Sequence, residues 1–162
     1  GYIDITTEVG QGTTFLLYFP SLNIDTSAAA IPEKGEVQPG KGQSILLVED
    51  DRATRDALLD SLAQISYEVL TATNGREALT ILATKGTEID LVLSDGVMPE
   101  MGGIALFHAL LEQNLTMPVV LLTGHPLSKE MENLRTLGLA GWLPKPPDLV
   151  KLSNLLAEVL AA

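Results

Sequence analysis

The sequence predicts an α/β fold in which five parallel strands, in the sheet order 2-1-3-4-5, are covered by helices on both faces. From Ser44 onwards, short apolar runs alternate with helical patterns five times, which is typical of right-handed βαβ crossovers. Acidic residues follow the first and third apolar runs, at Glu49 to Asp51 and at Asp95. The order 2-1-3-4-5 places these two strands side by side at the switch point, where ligands bind in such sheets.

Residues 1–20 precede this domain and predict a β-hairpin. An alternating strand pattern runs to Thr6, a turn occupies 8–12, and a second β-rich run from Thr13 ends before Pro20. An isolated hairpin is marginally stable in water, so we expect it to require a partner sheet.

Residues 21–43 contain Ser, Ala, Pro, Gly and mixed charges without helical or strand periodicity. This composition predicts a flexible linker. The predicted organisation is therefore a hairpin at 1–20, a linker at 21–43 and an α/β domain at 44–162.

The predicted strands lie near 45–49, 67–72, 90–95, 118–123 and 140–144, and the predicted helices near 52–64, 75–85, 103–113, 128–137 and 148–161. Asn74, three residues before Glu77, predicts a cap for the second helix with the glutamate reaching back. Ser128 is the predicted cap of the fourth helix. Leucines at helical spacing make the last helix amphipathic.

Composition limits the function classes. The net charge of the 162 residues is −11, which argues against a nucleic-acid-binding surface. The chain has no cysteine, which excludes a disulfide framework and thiol chemistry. Because no apolar stretch approaches the length of a membrane span, we expect a cytoplasmic segment without direct membrane contact, from a longer parent that can itself be membrane-anchored.

The acids after the first and third strands predict a cation site. Carboxylates of Glu49, Asp50 and Asp95 at one sheet edge repel one another by roughly 4 kcal/mol per close pair at an effective dielectric near 20. Such an arrangement usually holds a cation, and oxygen-only ligands with space for water favour Mg²⁺.

Two later strand ends add a hydroxyl and an ammonium to the same edge. The fourth strand runs into Thr123-Gly124 and the fifth into Lys145-Pro146. A nucleophilic aspartate, metal-binding acids, a hydroxyl donor and a cation are what phosphoryl transfer to a carboxylate requires.

Residues 44–162 resemble a receiver domain of the two-component signalling family, which has a flavodoxin-like fold. The resemblance consists of the acids after strand 1, Ser-Asp-x-x-Met-Pro-x-Met-x-Gly from Ser94, Thr-Gly after strand 4 and Lys-Pro after strand 5. In this order and spacing the motifs are highly specific together.

The resemblance implies a role for each acid. Asp95 is the implied phosphoacceptor, which attacks a phosphohistidine. Asp50 ligates Mg²⁺ directly, Glu49 acts through water or an edge contact, and the backbone carbonyl of Val97 is the main-chain ligand. We expect Asp51 to be a first-turn acid of the following helix, favoured by the helix dipole.

The resemblance also implies a switch. Thr123 hydrogen-bonds the phosphoryl group, and Lys145 pairs with Asp95 before modification and with the phosphoryl group afterwards. The Lys145–Pro146 bond is cis in the family. Trp142 occupies the place where the family usually carries a Tyr or Phe that changes rotamer with phosphorylation. Because Trp is bulkier, a half-exposed aromatic residue that helps a partner dock is the alternative role. The role of His125 stays open.

Residues 1–20 follow the pattern Gly-x-Ile-x-Ile-x-Thr-Glu-x-Gly-x-Gly-Thr-x-Phe-x-Leu-x-x-Pro. This pattern resembles the last two strands of the ATP-binding domain of sensor histidine kinases, with Gly10 and Gly12 as turn residues. Kinase strands, linker and receiver in this order imply the carboxyl end of a hybrid histidine kinase in a phosphorelay. The implied partners are a histidine kinase dimerisation and phosphotransfer domain or a histidine phosphotransfer protein.

Two other functions compete with this interpretation. A degenerate receiver would bind partners without phosphotransfer, although the complete set of acids, Thr123 and Lys145 argues against it. An aspartate-nucleophile phosphatase usually has a second aspartate two residues after the nucleophile, where this chain has Val97. A dinucleotide-binding protein is excluded because no glycine-rich turn follows the first strand.

Overall fold

The computed structural model describes residues 2–18, 35–124 and 129–161. The chain divides into two compact units, Gly1–Lys34 and Gly35–Ala162, and each is described by itself. Predictions for residues 19–34, which include most of the linker, and for His125 and Ser128 lie outside the described residues.

The first unit contains the predicted hairpin. Strands β1 (Tyr2–Glu8) and β2 (Gly12–Tyr18) pair antiparallel, with Ile3 opposite Leu17 and Ile5 opposite Phe15. Because alternate residues of a strand share a face, these four apolar side chains lie on one side of the hairpin. Each is more than half exposed, in keeping with the expectation of a partner sheet.

The second unit is built on a five-stranded parallel sheet. Its strands are β3 (Ser44–Val48), β4 (Glu68–Ala72), β5 (Leu91–Asp95), β6 (Val119–Thr123) and β7 (Gly141–Pro144). They lie in the order β4-β3-β5-β6-β7, and every neighbouring pair is parallel. This is the predicted order 2-1-3-4-5, and the α/β fold prediction is confirmed.

Helices connect these strands. They are α1 (Arg52–Gln64), α2 (Gly75–Lys85), α3 (Gly103–Glu112), α4 (Lys129–Thr136) and α5 (Leu149–Ala161), with a 3₁₀ turn at Gly86–Glu88. Among the described helices, none is both long enough and apolar enough to cross a bilayer.

Two apolar cores cover the two faces of the sheet. Leu46 of β3 lies in one core, whereas its neighbours Ile45 and Leu47 lie in the other. All three are fully buried, and burying a leucine or isoleucine side chain contributes about 1.5–3 kcal/mol. This alternation explains why the strands are continuously apolar, as in sheets covered on both faces.

The cap of α2 forms as predicted. Asn74 Oδ1 accepts from the backbone N–H of Glu77 at 3.0 Å. The Glu77 carboxylate reaches back and accepts from the Thr73 hydroxyl at 2.6 Å and from the Thr73 N–H at 2.8 Å. These hydrogen bonds hold the pKa of Glu77 below its usual value.

Asp51 is the N-cap of α1, one position before the predicted first turn. Its backbone is extended, and its Oδ1 accepts from the N–H of Thr54 at 2.8 Å. That hydrogen bond lowers the pKa of Asp51. The prediction of a first-turn acid is therefore wrong by one position, because Asp51 lies just outside α1 and acts as its side-chain cap.

Residues 35–43, here called the docked segment, pack against the α/β unit. Gly40 N–H donates to Ile65 O at 2.7 Å and Gly42 N–H to Ser66 O at 3.0 Å, just beyond the end of α1. Gln38 N–H donates to Ser153 Oγ of α5 at 3.1 Å. The sequence places these residues in the linker; the structure begins the compact unit at Gly35 instead of Ser44, because carbonyls at a helix end need donors.

The α2 cap predicts a specific acid dependence of stability. The pKa of Glu77 is lowered in the folded chain below its ordinary value by the hydrogen bonds from Thr73. The stabilisation from the carboxylate is therefore fully present above the ordinary pKa and is lost as the pH falls through the folded pKa. We expect Glu77→Gln to lower the free energy of unfolding near neutral pH, with a deficit that shrinks in acid.

Urea denaturation of both proteins from about pH 7 to about pH 3 measures this difference. Glu112→Gln, at the exposed end of α3, is the matched control and should follow the wild-type curve. Parallel curves for Glu77→Gln and wild type would contradict the role of the cap.

Candidate functional site

Three carboxylates meet at the carboxyl edge of the sheet. Glu49 and Asp50 follow the end of β3, and Asp95 ends β5, where Val48 pairs with Ser94 in register. One oxygen of each carboxylate lies within 4.8 Å of the others. Glu49 is 2% exposed, whereas Asp50 is exposed. The predicted meeting of these acids is confirmed.

Lys145 lies between two of these acids. Its Nζ is 2.7 Å from Glu49 Oε2 and 2.7 Å from Asp95 Oδ2. Its backbone N–H donates to Thr123 O at 2.9 Å, and the Lys145–Pro146 bond is cis. The Lys145–Asp95 pair is as predicted, whereas the Glu49–Lys145 pair is additional.

The charge of Lys145 is stabilised by its two partners. Burial acts to lower the pKa of Lys145, but hydrogen bonds and Coulombic attraction from Asp95 and Glu49 outweigh it and raise the pKa above its usual value. The ammonium is therefore charged at neutral pH. Three carboxylates against this one ammonium leave an excess of two negative charges, which matches a divalent cation.

The Asp95 carboxylate is oriented by its own loop. Oδ1 accepts from the N–H of Val97 at 3.1 Å while Oδ2 pairs with Lys145. The buried Ser94 hydroxyl donates to the Asp95 carbonyl at 2.9 Å. The Val97 side chain is 81% exposed, so its contribution to the site comes from the backbone.

Glycines allow α3 to begin directly against the end of β5. A Cβ atom at Gly103 would overlap the Asp95 carbonyl and lie 2.7 Å from Ser94 Oγ. A Cβ atom at Gly102 would lie 2.7 Å from the Gly96 carbonyl. Gly103, the last residue of the motif, and Gly102 before it are therefore required because the backbone approaches more closely than a Cβ atom permits.

Thr123 and Trp142 lie on the adjoining strands. Thr123 is half-buried at the end of β6, where Asp95 pairs with Leu122 in register, one residue earlier. Trp142 is half-buried on β7 and packs against one of the two cores. Its burial is intermediate between the inward and the surface positions that the sequence leaves open.

Arg55 joins the site without having been predicted. Its Nη1 donates to the carbonyl oxygens of Glu49 at 2.7 Å and Asp50 at 3.3 Å. One signal for it exists in the sequence: Arg52 and Arg55 occupy the start of a helix, where the dipole favours acids instead of bases.

The family model described as the response regulator receiver domain matches residues 45–157. The chain belongs to this receiver family. It is homologous to receiver domains of hybrid sensor kinases, as its relatives show.

Among these relatives is the sensor kinase CckA of Brucella abortus (strain 2308), 35% identical over 168 residues that cover 99% of this chain and 18% of that protein. The sensor histidine kinase RcsC of Salmonella typhi is 32% identical over 142 residues, which cover 87% of this chain and 15% of that protein. The chain thus spans less than a fifth of these relatives.

A solved structure supports the fold assignment. The Vibrio cholerae chemotaxis protein CheY4 is 31% identical and superposes with a TM-score of 0.65, covering 73% of this chain and 98% of that chain. The 73% of this chain that superposes is about the size of the receiver domain matched at residues 45–157.

Gly103→Ala tests the close approach of α3 to Asp95. We expect a loss of about 1–3 kcal/mol in the free energy of unfolding, the usual cost of overpacking, because the neighbouring backbone must shift. Gly86→Ala is the control, since its Cβ would make an ordinary contact of 3.8 Å with Met117 Cε. Equal stabilities of the two variants in urea denaturation would refute the requirement for glycine.

Proposed function

We propose that this chain is the phosphoacceptor receiver of a hybrid histidine kinase and takes a phosphoryl group from phosphohistidine onto Asp95. One observation carries the proposal: Asp95 ends β5 beside Glu49 and Asp50, with the Lys145 ammonium 2.7 Å from its carboxylate. A carboxylate nucleophile beside a cation and further acids is suited to phosphoryl transfer, where positioning and charge neutralisation provide most of the catalysis.

The carboxylates of Glu49, Asp50 and Asp95 at the carboxyl edge of the sheet, here called the rim, fit Mg²⁺. Glu49, Asp50 and Asp95 offer carboxylate oxygens within 4.8 Å of one another, and hard oxygen ligands suit Mg²⁺. We assign Asp50 and Asp95 as direct ligands, with Glu49 at the edge and the Val97 carbonyl as the main-chain ligand. When bound, the ion neutralises charge on the phosphoryl oxygens.

The chain's own residues carry the transfer. An Asp95 carboxylate oxygen forms a bond to phosphorus as the phosphorus–nitrogen bond of the phosphohistidine breaks, and that electron pair returns to the imidazole. Lys145 then exchanges its contact with Asp95 for the new phosphoryl oxygens, while Thr123 donates its hydroxyl to one of them. Both are contacts to anionic oxygens, and such charge-assisted hydrogen bonds are shorter and stronger than those between neutral groups.

The modification acts as a switch for partner binding. A phosphoryl group adds about −1.5 to −2 charge next to Thr123 and Lys145, and drawing these residues toward it changes the face formed by β6, α4 and β7. Trp142 lies on that face. A phosphoryl group shifts the balance between two conformations of this face only through its different interaction energy with each. The output of the switch is a change in which partners bind the face.

The organisation of the surrounding protein is inferred from the same relatives. We infer that residues 1–20 close the ATP-binding domain of a histidine kinase, that residues 21–43 are a linker and that residues 44–162 are the receiver. The CckA alignment covers 99% of the chain and so includes the hairpin, which supports this order. The partner is a kinase dimerisation and phosphotransfer domain or a histidine phosphotransfer protein, in the cytoplasm.

Intact-mass analysis after incubation with acetyl phosphate tests the function. We expect one phosphoryl adduct that requires Mg²⁺ and is absent from Asp95→Asn, because the amide is a poor nucleophile. A folded wild-type chain that forms no adduct would favour a protein-binding module without phosphotransfer, and rapid turnover of acetyl phosphate would favour a phosphatase.

Asp50 and Asp51 offer a matched pair for the metal requirement. Each substitution by Asn removes one charge, and Asn at position 51 retains the N-cap acceptor. We expect Asp50→Asn to raise the Mg²⁺ concentration required for half-maximal adduct formation by at least about tenfold, and Asp51→Asn to leave it nearly unchanged. Equal effects would show that general charge, and not ligation, sets the requirement.

A further inference from the structure

Arg55 is a structural feature of the site that phosphotransfer does not itself use. We propose that Arg55 is a positioning residue, which holds the main chain of Glu49 and Asp50 so that the Asp50 carboxylate faces the metal site. The inference rests on the proposed function only in assigning a metal to that site. It concerns residues of this chain and is testable by metal binding alone.

The contacts of Arg55 are with main-chain oxygen atoms. Its Nη1 donates to Glu49 O at 2.7 Å and to Asp50 O at 3.3 Å. A hydrogen bond from a charged donor is stronger than one between neutral groups. The guanidinium group therefore contacts the peptide groups on both sides of the Asp50 Cα, the atom from which the Asp50 side chain extends.

The loop is also held from the opposite side. Glu49 N–H donates to Ala72 O of β4 at 3.1 Å, and the Glu49 carboxylate pairs with Lys145. The Glu49 carbonyl lies beyond the last residue of β3, and Arg55 supplies a donor to it. Asp50 is the exposed member of the acid cluster, and the contact to its carbonyl comes from Arg55.

The helix dipole makes a cation at position 55 electrostatically unfavourable, and the hydrogen bonds to the carbonyl oxygens of Glu49 and Asp50 offset this cost. Arg55 lies in the fourth position of α1, after the Asp51 cap, where the helix dipole disfavours a cation. Arg52, one turn earlier, resolves the same conflict differently: its side chain is 87% exposed and pairs with Asp56 at 3.6 Å. Arg55 instead turns inward and is half-buried.

The guanidinium group also influences neighbouring acids. Its charge contributes, as a minor cause, to lowering the pKa of Asp51 and of Glu77. Arg55 thus lies near acids at the starts of α1 and α2, as well as beside Glu49 and Asp50. This raises a competing role, in which Arg55 acts only by neutralising negative charge near the rim.

The two roles predict opposite effects on metal affinity. If Arg55 acts by charge alone, its removal makes the rim more negative and strengthens Mg²⁺ binding through Coulombic attraction. If Arg55 positions the loop, its removal releases Asp50 and weakens binding, even though the local charge becomes more favourable. Arg55→Lys separates the effects further, since lysine keeps the charge, but its shorter side chain does not place a donor where Nη1 lies between the two carbonyl oxygens.

Isothermal titration of the full chain with Mg²⁺ measures these effects. We expect Arg55→Gln to weaken Mg²⁺ binding by about tenfold, the lower end of the range for residues that orient metal ligands, and Arg55→Lys to fall between Gln and wild type. Arg52→Gln is the matched control, and its affinity should stay within about twofold of wild type. Unchanged or tighter binding by Arg55→Gln would overturn the proposal.

Thermal melting of each variant separates loop positioning from unfolding. If Arg55→Gln does not fold, Arg55→Lys decides: weaker binding at an unchanged melting temperature supports the proposal, and wild-type affinity overturns it. A wild-type chain that binds Mg²⁺ but forms no phosphoryl adduct would refute the proposed function and leave the Arg55 comparison valid. A wild-type chain that binds no Mg²⁺ would overturn both.

Discussion

The structure of the site depends on one ammonium group between two acids. Lys145 Nζ lies 2.7 Å from carboxylate oxygens of both Glu49 and Asp95, and so connects the carboxyl ends of β3, β5 and β7. Without it, the almost fully buried Glu49 carboxylate would lack this compensating charge, and removing one partner of a buried pair typically costs about 3–5 kcal/mol. The remaining negative excess is what a divalent cation would neutralise.

The sheet determines where these groups meet, and the sequence predicts the sheet well. Alternating apolar runs and helices fix parallel strands, and the order 2-1-3-4-5 then brings Glu49, Asp50 and Asp95 to one edge. The docked segment at residues 35–43 is different, because backbone N–H groups make its contacts with Ile65 and Ser66. Every residue except proline carries that donor, so its polar, glycine-containing sequence is compatible with a linker.

The difference between features set by the sequence pattern and contacts made by backbone groups also explains which site residues can be predicted. Asp95, Thr123 and Lys145 end apolar runs in a specific order, so their positions are visible in the sequence. The bond from Lys145 to Glu49 depends on burial of the glutamate, which one sequence does not reveal. Arg55 is hidden for a further reason, since it acts on carbonyl oxygens, and its only trace is a cation placed against a helix dipole.

We propose that Asp95 receives the phosphoryl group and that Glu49 and Asp50 do not. Borohydride reduces an acyl phosphate to an alcohol, so treating the phosphorylated chain and mapping its peptides by mass identifies the acceptor directly. We expect homoserine at position 95, with Glu49 and Asp50 unchanged. Conversion of Glu49 or Asp50, or a phosphoryl adduct that leaves position 95 intact, would contradict it.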